Sequence, residues 1–202
     1  MEKPQVFIVM GRSGSGKGTQ IALLQAYLKE KTPTIAQQNF VCGDRFREFF
    51  KTESPISQIV KESVNAGNYQ PDFFATTLYF SEIFKTINSS DHLIFDGYPR
   101  SLIQLEDLKK LLTYIGRTHA IVIDISVTGE EVVRRIMLRT GRTDDSKEGA
   151  EKRQQEFDRS VVPVIEAVKA DPFFTYLEID GMPLPADVHH NVVQALNSVH
   201  TS

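Results

Sequence analysis

Residues 11–19 read GRSGSGKGT and follow directly on the apolar run Val6-Phe7-Ile8-Val9-Met10. The string satisfies G-x-x-x-x-G-K through Gly11, Gly16 and Lys17, in the context that gives the pattern meaning: a short β-branched strand before it and helical spacing after it. Gly11, Gly14, Gly16 and Gly18 lack Cβ atoms and allow the backbone to wrap closely around a phosphate chain. The loop N–H groups then form an anion nest, and the following helix adds its positive end. Lys17 brings a mobile ammonium to the β- and γ-phosphates of a nucleotide. The usual hydroxyl after the lysine is replaced by Gly18, and Thr19 supplies it one residue later.

Apolar strands alternate with helical segments along the 202 residues. Strands are expected at 6–10, 40–42, 92–95, 120–125 and 173–179. Helices are expected at 17–29, 44–51, 56–66, 71–87, 102–115, 130–139 and 186–199, with a long polar helix at 148–168 interrupted at Pro163. Such alternation predicts a parallel sheet with helices on both faces, and ligands bind at the carboxyl ends of its strands. The interval 42–70 has no strand of its own and reads as a helical insertion over that end.

The string FDGYPR at 95–100 is the second informative site. Asp96 closes a buried strand beside the phosphate loop, where an acid holds Mg²⁺ or its waters. Gly97 permits close approach of the backbone to a ligand. Pro99 stiffens the turn that presents Arg100, whose planar fork suits a phosphate. Arginines recur at Arg134, Arg135, Arg139, Arg142 and Arg153. Arg135 and Arg139 are four apart and share a helix face. In a chain of net charge −3, this set reads as a cation cluster for an anionic substrate pair. Asp144 and Asp145 would orient those guanidiniums or cap the next helix.

The bulk properties exclude other classes. A charge of −3 gives no basic footprint for nucleic acid or an anionic membrane. One cysteine, Cys42, excludes an internal disulfide framework. No apolar run approaches the roughly 18 residues of a membrane span. The chain is expected to be a cytoplasmic, monomeric, single-domain protein over residues 1–202.

The ordered set GRSGSGKGTQ, CGDRFR, QPD, FDGYPRSLIQ and GRTDD…KRQQEF resembles the adenylate kinases, within the nucleoside monophosphate kinases, over nearly the whole chain. The resemblance implies a P-loop kinase fold: a five-stranded parallel sheet flanked by helices. It also implies a helical monophosphate-binding insertion at about 42–71 and a short lid at about 139–146, with no room for a zinc site. The implied reaction is reversible phosphoryl transfer from MgATP to AMP, giving two ADP.

By the same resemblance Gly14, Ser15, Gly16, Lys17, Gly18 and Thr19 would hold the ATP phosphates, with Arg135 and Arg139 on the ATP side. Gln20 matches the family motif too. Cys42, Arg47, Gln70, Gly97, Arg100, Gln104, Arg142 and Arg153 would form the AMP site, Arg47 and Arg100 clamping its phosphate and Gln104 reading adenine. Arg139, Arg142 and Arg153 would surround the transferred group, and Asp96 would hold Mg²⁺ through water. Ser13, Cys42, Arg45 and Gln70 replace the family's usual Pro, Thr, Leu and Val, the last three in or near the monophosphate pocket. Two alternatives stay open. One is a uridylate/cytidylate kinase on the same fold, although Asn would then more often stand at Ser101. The other is a nucleotide-binding module without transferase activity.

Overall fold

The runs at 6–10, 93–95 and 120–123 are apolar without alternation, so both of their faces must be covered. The computed structural model describes residues 3–138 and 147–200 and shows how. Strands β1 (Val6–Met10), β2 (Gln37–Val41), β3 (His92–Asp96), β4 (Ala120–Ser126) and β5 (Phe174–Asp180) pair in parallel in the order β2-β3-β1-β4-β5. Register places Val9 beside Asp96 and Met10 beside Asp124. The phosphate loop after β1 therefore emerges next to the DGYPR turn after β3, at one end of the sheet.

Helices α4 (Asp72–Thr86), α5 (Leu102–Tyr114) and α8 (Val162–Ala170) cover one face, burying Tyr79, Ile83, Leu108, Leu112 and Val164 against Ile8, Leu93, Phe95 and Val122. Helices α1 (Lys17–Lys31), α6 (Gly129–Leu138) and α9 (Pro185–His200) cover the other, with Leu24, Leu28, Val132 and Leu196 against Phe7, Val9, Ile94 and Ile121. Alternate residues of β1, β3 and β4 feed the two clusters, as the period-2 pleat requires.

The interval between β2 and α4 carries α2 (Cys42–Phe50) and α3 (Pro55–Asn65). Ser54-Pro55 starts α3: the Ser54 side chain accepts from the Ser57 N–H and Pro55 occupies the first turn. Two expectations are corrected. Cys42 opens α2 and does not end β2, because pairing with β3 runs out where Val41 meets Asp96. The long helix is not broken at Pro163. Helix α7 (Lys147–Glu156) passes through a π-helical stretch at Phe157–Val161 into α8, whose first turn holds the proline, where its missing N–H needs no partner. The expected lid and Arg139, Arg142, Asp144 and Asp145 lie outside the described residues.

Candidate functional site

A cleft of about 980 Å³ opens at the carboxyl end of the sheet. One wall is the phosphate loop with Gly14, Gly16, Lys17, Gly18 and Thr19, joined by Arg135. Facing it are Cys42, Arg47, Gln70, Gly97, Arg100, Gln104 and Arg153, with Asp96 between. Of the described residues expected at or near the site, Ser15, Arg45 and Arg134 do not line this cleft. The Ser15 side chain is buried, and its Oγ finds no hydrogen-bond partner among the described residues. Its backbone N–H closes a turn onto the Arg12 carbonyl at 3.1 Å.

The loop geometry follows from local chemistry. Gly14 sits at φ +93°, and a Cβ there would come within 2.9 Å of Ile136 Cγ1. Gly18 differs: it lies inside α1, and a Cβ at that position meets nothing within 4 Å. No described protein atom requires glycine there. The Lys17 ammonium donates to the Gly11 carbonyl at 2.8 Å and the Arg12 carbonyl at 2.9 Å. Gln20 turns away from the cleft and anchors α1 by donating to the Pro185 carbonyl at 2.9 Å.

Arg135 is held from three sides. Its Nε donates to Glu131 at 2.8 Å, and its terminal nitrogens reach the carbonyls of Gly181 at 3.0 Å and Ser15 at 3.4 Å. Hydrogen bonds from Arg134 and Arg135 pull the Glu131 carboxyl down to about 2. Arg135 therefore stays paired at any physiological pH while it spans the loop and the β5–α9 turn.

Across the cleft, Arg100 donates from Nε to the Gly97 carbonyl at 2.7 Å, and its guanidinium stacks over the Tyr69 ring at 4.8 Å. Its backbone N–H donates to Gln104 Oε1 at 2.8 Å. Gln104 is buried, and its Nε2 donates to Asp72 at 2.8 Å. The amide still keeps a second N–H and a second lone pair for a ligand. Asp72 Oδ1 also accepts from the Ser101 hydroxyl at 2.7 Å, and Ser101 caps α5. Arg47 pairs with Asp44 on its own helix. Gln70 donates to the Ser63 hydroxyl at 3.0 Å. Arg45, expected in or near this pocket, faces away from the cleft toward Glu82 at 3.6 Å.

The insertion also packs against α7. Gly67, at φ +86°, lies so close to α7 that a Cβ would meet the Gly149 carbonyl at 2.6 Å. This contact carries Tyr69 into the cleft, close enough for Arg153 and Glu156 of α7 to act on its hydroxyl. Burial pushes the Tyr69 hydroxyl up, and the Arg100 charge draws it part of the way back. Tyr69 and Asp72 line the cleft and were given no role by the sequence reading. Only Asp72 left a signal, as an acid following a proline at a helix start.

A divalent ion carried in with a nucleotide needs one or two carboxylates and otherwise binds phosphate and water. Asp96 fits that demand: it is half-buried, ends β3 and lines the cleft between the two walls. Among the described residues no three His, Cys, Asp or Glu side chains converge for a protein-only metal site.

A model of the family "Adenylate kinase" matches residues 9–172. The chain belongs to the adenylate kinase family. As an adenylate kinase family member it is an ATP-dependent phosphotransferase of the nucleoside monophosphate kinase class. The adenylate kinase of Leifsonia xyli is 31% identical over 192 residues, covering 94% of this chain and 92% of that one. The adenylate kinase of Thermus thermophilus is 30% identical over 199 residues, covering 97% and 99%. That of Parabacteroides distasonis is 26% identical over 195 residues. Among the described residues no helix is long and apolar enough to cross a membrane.

Proposed function

We propose that this kinase transfers the γ-phosphoryl group of MgATP to AMP, reversibly, giving two ADP, and that it works as a cytoplasmic monomer. One observation carries the reading: a single cleft presents two phosphate-binding poles to each other. The loop of Gly14, Gly16 and Lys17 forms one pole; Arg47, Arg100 and Arg153 form the other. A binding module for one nucleotide needs only the first.

In this reading ATP enters along the phosphate loop. Its phosphates draw Lys17 off the Gly11 and Arg12 carbonyls, and Arg135 flanks the adenine. The AMP phosphate takes Arg47 from Asp44 and meets the open edge of Arg100. An oxygen of that phosphate attacks the γ-phosphorus. A new P–O bond forms while the bond to the β–γ bridging oxygen breaks, and the electron pair leaves on the β-phosphate. The attacking oxygen is already anionic at neutral pH, so no strong base is needed. Positioning and charge stabilisation supply the catalysis. Arg153 draws the two anions together, with Arg139 and Arg142 assigned to the same cluster by resemblance. Asp96 would hold the Mg²⁺ that accompanies the nucleotide, which would neutralise part of the phosphate charge. The amide of Gln104 pairs with the adenine edge.

The test is a coupled assay of ADP formation with MgATP against AMP, UMP, CMP and GMP, with Lys17→Ala as control. Turnover on AMP, lowered about 100-fold or more in the control, is expected. Preference for UMP or CMP would transfer the reading to a pyrimidine monophosphate kinase. Nucleotide binding without turnover on any acceptor would overturn it.

A further inference from the structure

Arg12 is the second residue of the phosphate loop, and its two ends do different things. Its carbonyl receives the Lys17 ammonium at 2.9 Å and the Ser15 N–H at 3.1 Å. Its side chain leaves the loop and crosses to the stretch that follows Arg153. One terminal nitrogen donates to Gln154 Oε1 at 3.1 Å and reaches the Gln154 carbonyl at 3.5 Å. The other pairs with Asp158. The guanidinium carbon lies 4.8 Å over the Phe157 ring. Gln154, Phe157 and Asp158 share one helix face through their three- and four-residue spacing. Arg153, one residue before Gln154, lines the cleft, as does Phe157. The Arg12 side chain is only 21% exposed, although it bears a full charge at the mouth of a loop built for anions.

We propose that Arg12 is a positioning residue. It straps the first turn of the phosphate loop to the α7–π junction and so fixes the separation between the donor pole at Lys17 and the acceptor pole at Arg153. The inference rests on the reading of the cleft as a phosphoryl-transfer site. The physical demand is strict, since a displacement of about 1 Å between reacting groups costs about 100-fold in rate. The loop leads into a helix of one layer, while Arg153 lies on the segment that feeds the opposite layer. Both layers contribute to the site, and Arg12 crosses from one to the other with four contacts. A planar fork serves here because two parallel acceptors and an aromatic face are engaged together.

The experiment compares Arg12→Ala, Arg12→Lys, the pair Gln154→Ala/Asp158→Ala, and all three alanine changes combined. Each is measured for kcat, for KM of ATP and of AMP, and for Tm. Arg12→Ala and the pair should each lower kcat about tenfold with both KM values within about twofold. The combined variant should fall no further than the worse of the two, because both cut the same strap. Arg12→Lys should recover only part of the loss. A large rise in the KM of ATP in Arg12→Ala with the pair silent would make Arg12 a direct nucleotide ligand and overturn the proposal. A fall in Tm with kcat unchanged would reduce it to a surface ion pair and overturn it equally. Amide hydrogen exchange across residues 11–16 tests the strap without turnover. Faster exchange in Arg12→Ala and in the pair supports it even in an inert enzyme, and unchanged exchange in both refutes it.

Discussion

The ring of Tyr69, carried on the turn between α3 and α4, lies 4.8 Å from the guanidinium carbon of Arg100. One residue belongs to the insertion and the other to the turn after β3. The stack therefore forms only while the insertion sits against the sheet end. With Nε fixed on the Gly97 carbonyl, the Tyr69 face leaves the terminal nitrogens of Arg100 as the edge presented to an anion. Removing the face should loosen that edge before the acceptor arrives. We expect Tyr69→Leu to raise the KM for AMP about five- to thirtyfold, with the KM for ATP unchanged, in line with a cation–π contact of about 1–2 kcal/mol. Tyr69→Phe should behave as wild type, because the ring and not the hydroxyl makes the contact. Steady-state kinetics of both variants settle it: a phenylalanine variant as impaired as the leucine one would refute the stacking role.

Asp72 ties together the proposed AMP pocket, since one of its oxygens accepts from both Ser101 and Gln104. It joins the start of α4 to the start of α5 and sets the orientation of the Gln104 amide. Asp72→Ala leaves the buried Gln104 amide short of a partner and free to turn. A lost hydrogen bond to a charged group is worth about 1.5–3 kcal/mol, so the KM for AMP should rise about tenfold or more. Discrimination against UMP and CMP should shrink with it. Competition assays with paired monophosphates measure this directly, and unchanged selectivity would show that Gln104 does not read the base.

The phosphate loop, the sheet and the acid at Asp96 were legible because each depends on local pattern. Strand 92–96 reads as a strand on its own, and GRSGSGKGT reads as a loop on its own. Arg12 and Tyr69 were not legible. Their partners lie 146 and 31 residues away in the chain. Nothing in R-S-G or N-Y-Q marks the side chain that crosses the cleft. The same limit explains Arg45. It stands two residues from Arg47, yet α2 turns it toward Glu82 and outside the pocket, because residues two apart on a helix face different ways. The π-helical stretch was also hidden. Pro163 was the visible breaker, but the irregularity falls earlier, at Phe157–Val161, where Phe157 and Val161 are both buried in the core.

Cys42 lies buried in the wall of the cleft, and burial pushes its thiol up. Arg100 pulls it partly back and Asp96 pushes it up again. The thiolate is the reactive form, so the folded enzyme should resist alkylation at pH 7.5. We expect iodoacetamide labelling, followed by mass spectrometry, to be at least about tenfold slower in native protein than after denaturation. Rapid native labelling would mean that the thiol is charged or accessible.

His92 makes the stability of this protein depend on pH. Its ring is fully buried at the start of β3, where Nδ1 accepts from the Gln5 N–H at 3.0 Å. Its Nε2 lies 2.9 Å from the Thr32 hydroxyl, whose own hydrogen goes to the Leu28 carbonyl at 2.7 Å. The ring must therefore carry its proton on Nε2 and stay neutral, since a second proton on Nδ1 would face an N–H. Burial first, then the nearby Arg117 charge, lowers its pKa from 6.5 to about 4. Between those values the unfolded chain binds a proton that the folded one refuses. Stability is thus full above pH 6.5 and falls as the pH drops toward 4, by about 3 kcal/mol in all at 1.36 kcal/mol per pH unit. Below pH 4 this group adds no further slope. Urea denaturation across pH 4–7 should show that loss in the wild type. His92→Gln, which can still accept from one group and donate to another, should show a curve flatter by the same amount. Parallel curves for the two proteins would mean that His92 is not the titrating group.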